Sequence, residues 1–160
     1  MNTRGGMLMK RVIVSVKSTQ RDADGEDTVV ELVSSGKYYE TALAKHIIYD
    51  ESEVTGLGNT KTTIKAYKDS VVLLRTGEFS MRHEYQLGKT NIASLETPYG
   101  AVELAMLTHE LDIDLKDGKG HICLGYDISV GGEWQFYNQL YVEIREDVHY
   151  GHERSFESSH

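Results

Sequence analysis

Apolar residues recur at every second position over most of this 160-residue chain. This is the period of a β-strand that buries one face and exposes the other to water. In residues 79–87, Phe, Met, His, Tyr and Leu alternate with Ser, Arg, Glu and Gln. The same alternation recurs in five further segments, residues 12–16, 60–67, 102–106, 122–128 and 136–144. The pattern predicts half-buried antiparallel strands.

Nine short clusters of turn-forming residues separate these segments and allow at most ten strands. Among them, Asp117-Gly118 and Gly131-Gly132 supply the positive φ angles that tight hairpin turns require. The segment 38–45, with sequence YYETALAK, contains good helix formers but is flanked by strand-like residues. The sequence leaves open whether that segment forms a helix or a strand.

A set of strands that each have one buried and one solvent-exposed face can close into an up-and-down barrel or form two packed sheets. Short connections without a long crossover favour the barrel, because sequence neighbours then pair throughout. We therefore predict an all-β fold, a single antiparallel β-barrel of about eight to ten strands. The barrel is expected over residues 10–148, between a flexible N-terminal segment (1–9) and a flexible polar tail (149–160).

The composition restricts the partners of the chain. Seventeen Lys and Arg against 25 Asp and Glu give a formal charge of −8, which argues against nucleic acid and anionic membrane surfaces. Cys123 is the single cysteine, so no internal disulfide can form. No apolar run is long enough for a transmembrane helix or for a signal peptide. These features together lead us to expect a cytoplasmic protein.

An ordered set of short motifs resembles the YwiB-like family of uncharacterised bacterial β-barrel proteins. The resemblance extends from Lys10 to Arg145. It implies a lipocalin-like fold of the calycin group and, because the family has no assigned activity, no catalytic residues. The motifs are Val16-Lys17-Ser18, Gly36-Lys37-Tyr38-Tyr39, Tyr49-Asp50-Glu51, the segment from Val72 to Gly77, Tyr99-Gly100 with Glu103-Leu104, Thr108, and Gly120-His121-Ile122 with Tyr126-Asp127.

Four residues are candidates for ligand binding inside the barrel: Arg75, His83, Tyr85 and Tyr126. Each falls on the apolar face of its strand, where a polar tip could orient a small, mainly apolar ligand or only satisfy a filled core. Arg75 has three interpretations: it reaches solvent at the barrel rim, pairs with Glu51 or Glu103, or binds a ligand. A cavity of roughly 300 Å³ or more would support the ligand hypothesis.

An alternative places the working surface outside a filled barrel. Cys123, Tyr137 and Tyr141 fall on faces predicted to point outward, where they could form the interface of a homodimer or of a protein-interaction module.

We predict no catalytic residue, cofactor or metal site, and an enzyme on a calycin-type barrel ranks third, behind the two hypotheses above. No nucleophile and base can be assembled, and the histidines match no metal-binding spacing. The acidic group Asp50, Glu51 and Glu53 borders a loop and is interpreted as a solvated charge cluster.

Overall fold

The computed structural model describes residues 9–148, so the predicted tail and all of the predicted N-terminal segment except Met9 lie outside the described residues. Ten β-strands and one 3₁₀ turn, Glu53–Thr55, make up the regular structure of that part of the chain. The strands are β1 (Lys10–Arg21), β2 (Asp27–Glu40), β3 (Lys45–Asp50), β4 (Thr60–Ala66), β5 (Val71–Gly77), β6 (Met81–Tyr85), β7 (Thr90–Thr97), β8 (Gly100–Lys116), β9 (Lys119–Val130) and β10 (Glu133–Glu146).

The strands form one antiparallel sheet that curls into a nearly closed barrel. Their order is β6-β5-β4-β3-β2-β1-β10-β9-β8-β7, so the first strand pairs with the last and every other ladder joins sequence neighbours. The remaining gap lies between β6 and β7, which a single bridge between Ser80 and Glu96 connects. Two backbone hydrogen bonds of 2.9 and 2.8 Å form this bridge. The predicted barrel is therefore confirmed, with ten strands.

Turn chemistry sets the boundaries of the strands. Asp117 and Gly118 have φ values of 54° and 83°, and Gly131 and Gly132 have values of 60° and 83°. These two-residue hairpin loops agree with the sequence prediction. The open question at residues 38–45 is answered by a strand that ends at Glu40, a short turn, and a new strand.

Two expectations about the strands need correction. The strand predicted over residues 79–87 is confined to Met81–Tyr85. Leu87 is 60% exposed because it forms a turn with Gly88, which the Lys89 N–H closes by donating to the Gln86 carbonyl at 3.0 Å. Val102, expected to face inward, is 39% exposed. It lies close to the start of β8, beside a hairpin whose tip residue, Tyr99, is 97% exposed.

A β-bulge at His109 changes which residues of β8 face inward. Thr108 pairs with Tyr126 and Glu110 pairs with Gly125, so His109 has no opposite residue. One extra residue reverses the alternation of a strand. Accordingly Met106 and Thr108 are buried before the bulge, whereas Leu115 is buried after it.

The barrel is filled with side chains at one end. Its core residues there are at most 2% exposed: Val12, Val14, Tyr38, Ile47, Ile64, Leu73, Ile122 and Ile144. Complete burial of each such side chain contributes about 1.5–3 kcal/mol to stability. Residues 9–148 contain no helix with the length and apolarity needed to cross a membrane.

Candidate functional site

The other end of the barrel contains a cavity of about 450 Å³ that opens to solvent. The longer strands β1, β2, β8, β9 and β10 form most of its wall, and the loop between β3 and β4 covers one side through Thr55 and Leu57. The wall is largely apolar and includes Val16, Leu32, Leu95, Leu104, Phe136 and Leu140. Its volume lies within the range of pockets that hold small molecules.

Strand register brings four inward-facing residues into one row across β3, β4, β5 and β6. Tyr49 is opposite Thr62, Thr62 is opposite Arg75, and Arg75 is opposite Met81. Residues at the same level of adjacent strands and on the same face lie within contact distance. This row, which we call the Arg75 row, places a guanidinium group in the cavity wall.

Glu51 adds a buried carboxylate to the Arg75 row. It lies two residues beyond Tyr49, its side chain is 3% exposed, and its Oε2 accepts a hydrogen bond of 2.5 Å from Thr62 Oγ1. The same oxygen lies 3.8 Å from Arg75 Nε. That distance permits electrostatic attraction but is too long for a hydrogen bond. Arg75 Nε is buried and has no hydrogen-bond partner among the described residues.

These positions identify Glu51, and not Glu103, as the charge partner of Arg75, and ligand binding by Arg75 stays a prediction. Its side chain is 19% exposed and its charge partner is Glu51. Glu103 lies on an exposed stretch of β8. The interpretation of Asp50, Glu51 and Glu53 as a solvated cluster agrees with the exposure of Asp50 and Glu53 and is wrong for Glu51. The alternation of Ile47, Tyr49 and Glu51 is the sequence signal that places this carboxylate on the inner face.

The opposite wall carries a second polar group, made of Ser18, Tyr126 and Asn138. Asn138 Nδ2 donates to the Tyr126 hydroxyl at 2.8 Å, and Ser18 Oγ donates to Asn138 Oδ1 at 3.0 Å. Sequence analysis identified Tyr126 but missed Ser18 and Asn138, which have no distinguishing sequence signal beyond an inward position. A short polar residue on an inner face is as common in a filled core as in a pocket.

Tyr85 joins the two walls at the base of the cavity. Its ring lies 4.8 Å from that of Tyr126 and 4.3 Å from that of His83, measured between centroids. Burial raises the pKa of Tyr85 well above its ordinary value. Burial, with the nearby charge of Glu51, also raises the pKa of Tyr49. Both phenols therefore stay neutral near pH 7 and keep their hydroxyl protons.

His83 lies just outside the cavity. It is 1% exposed, its Nε2 is 3.3 Å from the backbone oxygen of Asn91, and its Nδ1 has no partner within residues 9–148. Burial lowers its pKa and favours the neutral ring. Of the four predicted ligand-binding residues, Arg75, Tyr85 and Tyr126 line the cavity, whereas His83 supports Tyr85 from behind.

The three predicted interface residues lie on the outer face of β9 and β10. Cys123 is opposite Tyr141 in the register, and the Tyr141 ring stacks on His121 with centroids 5.6 Å apart. Tyr137 lies over Gly125, where an added Cβ would be 2.1 Å from its hydroxyl oxygen. Burial and the nearby carboxylates of Glu110 and Asp112 raise the pKa of the Cys123 thiol. Much of this surface is thus used by contacts within the chain.

No group of three or more His, Cys, Asp or Glu side chains within residues 9–148 has an arrangement that could hold a metal ion. The cavity offers instead one guanidinium, one carboxylate and several phenolic and amide groups in an apolar wall. Such a set can orient a small molecule by hydrogen bonds and charge.

Comparison with known proteins places this barrel in a family. Residues 14–142 match the family described as "Domain of unknown function (DUF1934)". The chain belongs to the DUF1934 family. The matched span contains every residue that lines the cavity, from Val16 to Leu140. The sequence resemblance to a YwiB-like family is confirmed by the relatives that follow.

Two similar proteins agree with this assignment to DUF1934. The chain is 29% identical over 138 residues to the "Uncharacterized beta-barrel protein YwiB" of Bacillus subtilis (strain 168), an alignment that covers 86% of this chain and 95% of that protein. It also matches the crystal structure of the ywiB protein from Bacillus subtilis, with a TM-score of 0.78 and 26% identity, covering 89% of this chain and 96% of that one. Neither description assigns a ligand or a reaction.

Proposed function

We propose that the chain is a non-catalytic binding protein that holds a small, mainly apolar molecule inside the barrel, in the manner of lipocalin-like proteins. The observation that carries this proposal is the cavity of about 450 Å³, whose largely apolar wall includes a few polar groups. A barrel with a purely structural interior would fill this space, because unfilled volume forfeits packing energy.

The polar groups of the cavity support a binding role further. The charge of Arg75 lies mostly out of water, and its buried Nε has no hydrogen-bond partner in the described part of the chain, an arrangement that a polar contact from a ligand would stabilise. Arg75, Tyr85 and Tyr126 lie among the apolar side chains that line the cavity. A largely apolar wall with a few polar groups suits a mainly apolar molecule with one polar end. The charge of −8 and the single thiol fit a role in the cytoplasm without nucleic acid or membrane partners.

A pair of adjacent substitutions tests the proposal. Leu32 lines the cavity, whereas Val33 points outward and is 66% exposed. We expect Leu32→Trp to reduce binding of a fluorescent apolar probe, 1-aminoanthracene, by about tenfold or more, since the indole occupies the binding volume. Val33→Trp, the matched control, should leave binding unchanged. Equal binding of the probe by both variants would contradict the proposal that the cavity is the binding site.

Native mass spectrometry of the protein taken directly from cells provides an independent measurement. We expect a monomer that carries the added mass of a small molecule, and Leu32→Trp should lose this mass. A ligand-free dimer would favour the alternative, in which Cys123, Tyr137 and Tyr141 form an interface. No second function is proposed for those residues, and their role as an interface stays a prediction.

A further inference from the structure

The charges inside the cavity restrict what its ligand can carry. Among the described residues that line the cavity, Arg75 and Glu51 alone are charged, and their charges are opposite. The wall around them is neutral, because burial keeps Tyr49 and Tyr85 protonated. The site therefore has no net charge to balance an ionised ligand.

Each member of the pair can make further hydrogen bonds. Arg75 Nε lies 3.8 Å from Glu51 Oε2 and is itself buried, but the guanidinium has four other N–H donors on a side chain that is 19% exposed and lines the cavity. Glu51 accepts a hydrogen bond from Thr62, and a carboxylate offers about four acceptor positions. Donors of Arg75 and an acceptor on Glu51 thus lie close together in the cavity wall.

We propose, on the basis of the binding function above, that the ligand carries an uncharged polar end with an acceptor and a donor side by side, such as a primary amide. Its carbonyl oxygen accepts from the Arg75 guanidinium, and its N–H donates to the Glu51 carboxylate. The Arg75 guanidinium and the Glu51 carboxylate then both gain a hydrogen-bond partner, and no charge is added to the site.

The charged alternatives are less favourable for an electrostatic reason. A ligand carboxylate on Arg75 would lie against the Glu51 carboxylate, and a ligand ammonium on Glu51 would lie against the Arg75 guanidinium. Like charges repel strongly where water is excluded, and each ion would also lose its hydration. A carboxylate needs a positive site, and Glu51 cancels the positive charge of Arg75 here.

Three probes with the same apolar chain test the inference by calorimetric titration near pH 7: octanamide, octanoate and octylammonium. We expect octanamide to bind about tenfold more tightly than either ion, the discrimination of one hydrogen bond to a charged group. In Glu51→Gln, which keeps the shape of the side chain, octanoate should gain about tenfold relative to octanamide, since Arg75 then acts without a competing negative charge. Circular dichroism verifies that this variant folds.

The outcomes separate this inference from the function on which it rests. If octanoate or octylammonium binds the unmodified protein more tightly than octanamide does, the proposal of an uncharged head group is wrong. Equal binding of the three probes, or no binding of octanamide by protein that still takes up 1-aminoanthracene in its cavity, would overturn it too. Failure of 1-aminoanthracene and of all three probes together would instead overturn the binding function.

Discussion

Replacing Arg75 by Met should destabilise the protein through Glu51. The substitution keeps a long apolar side chain but removes the charge that lies 3.8 Å from the Glu51 carboxylate, whose side chain is 3% exposed. Removing one member of a buried ion pair leaves the other charge uncompensated, which costs about 3–5 kcal/mol, an upper limit for this pair. Because the pair is not directly hydrogen-bonded and Arg75 is 19% exposed, we expect a loss of about 2–3 kcal/mol.

Urea unfolding followed by circular dichroism measures this loss. Arg82→Met is the matched control, because Arg82 is an exposed arginine of the neighbouring strand β6 and its loss should change stability by less than about 0.5 kcal/mol. The double variant Arg75→Met/Glu51→Gln should recover much of the stability, because it leaves no uncompensated charge. A loss equal to that of the control, or a double variant no more stable than Arg75→Met, would refute the coupling.

Three further predictions concern other parts of the barrel. Burial lowers the pKa of His83, so the unfolded chain binds the proton more readily and stability should fall as the pH drops below about 6.5, by up to about 1.4 kcal/mol per pH unit. His83→Phe should reduce this dependence of stability on pH, measured by urea unfolding between about pH 5 and 7. An unchanged dependence would mean that other groups cause it. Gly125→Ala brings a Cβ to 2.1 Å from the Tyr137 hydroxyl oxygen and should lower the stability measured by thermal unfolding by about 1–2 kcal/mol. Adding Tyr137→Phe, which removes that hydroxyl, should restore part of the loss. Equal losses with and without the hydroxyl would contradict the clash. Because its pKa is raised, Cys123 should react with a thiol reagent such as 5,5′-dithiobis(2-nitrobenzoate) more slowly than free cysteine at about pH 8, and faster reaction would show an activated thiol.

The alternation of residues and the turn chemistry were sufficient to predict the barrel. Period-two segments define which face of each strand is dry, and the turns at Asp117-Gly118 and Gly131-Gly132 join neighbouring strands antiparallel. The inward positions of Arg75, Tyr85 and Tyr126 follow from the same alternation. These features depend only on residues that are close together in the chain, so they can be recognised in the sequence.

The remaining features depend on contacts between distant segments. The bulge at His109 reverses the alternation of β8 and appears only in its register with β9. The pairing of Arg75 with Glu51 depends on the registers of β3 with β4 and of β4 with β5. The position of His83 behind Tyr85, outside the cavity, depends on how the whole barrel closes.

The sequence by itself determined that this chain closes into an antiparallel barrel and, away from the bulge in β8 and the strand ends, which side chains point inward. Only the tertiary structure decided that one end is filled, that the other contains an open cavity of about 450 Å³, and that a largely buried ion pair lies in its wall. The physical reason is that alternation specifies a direction for each side chain. The volume left inside depends on the stagger and lengths of ten strands taken together.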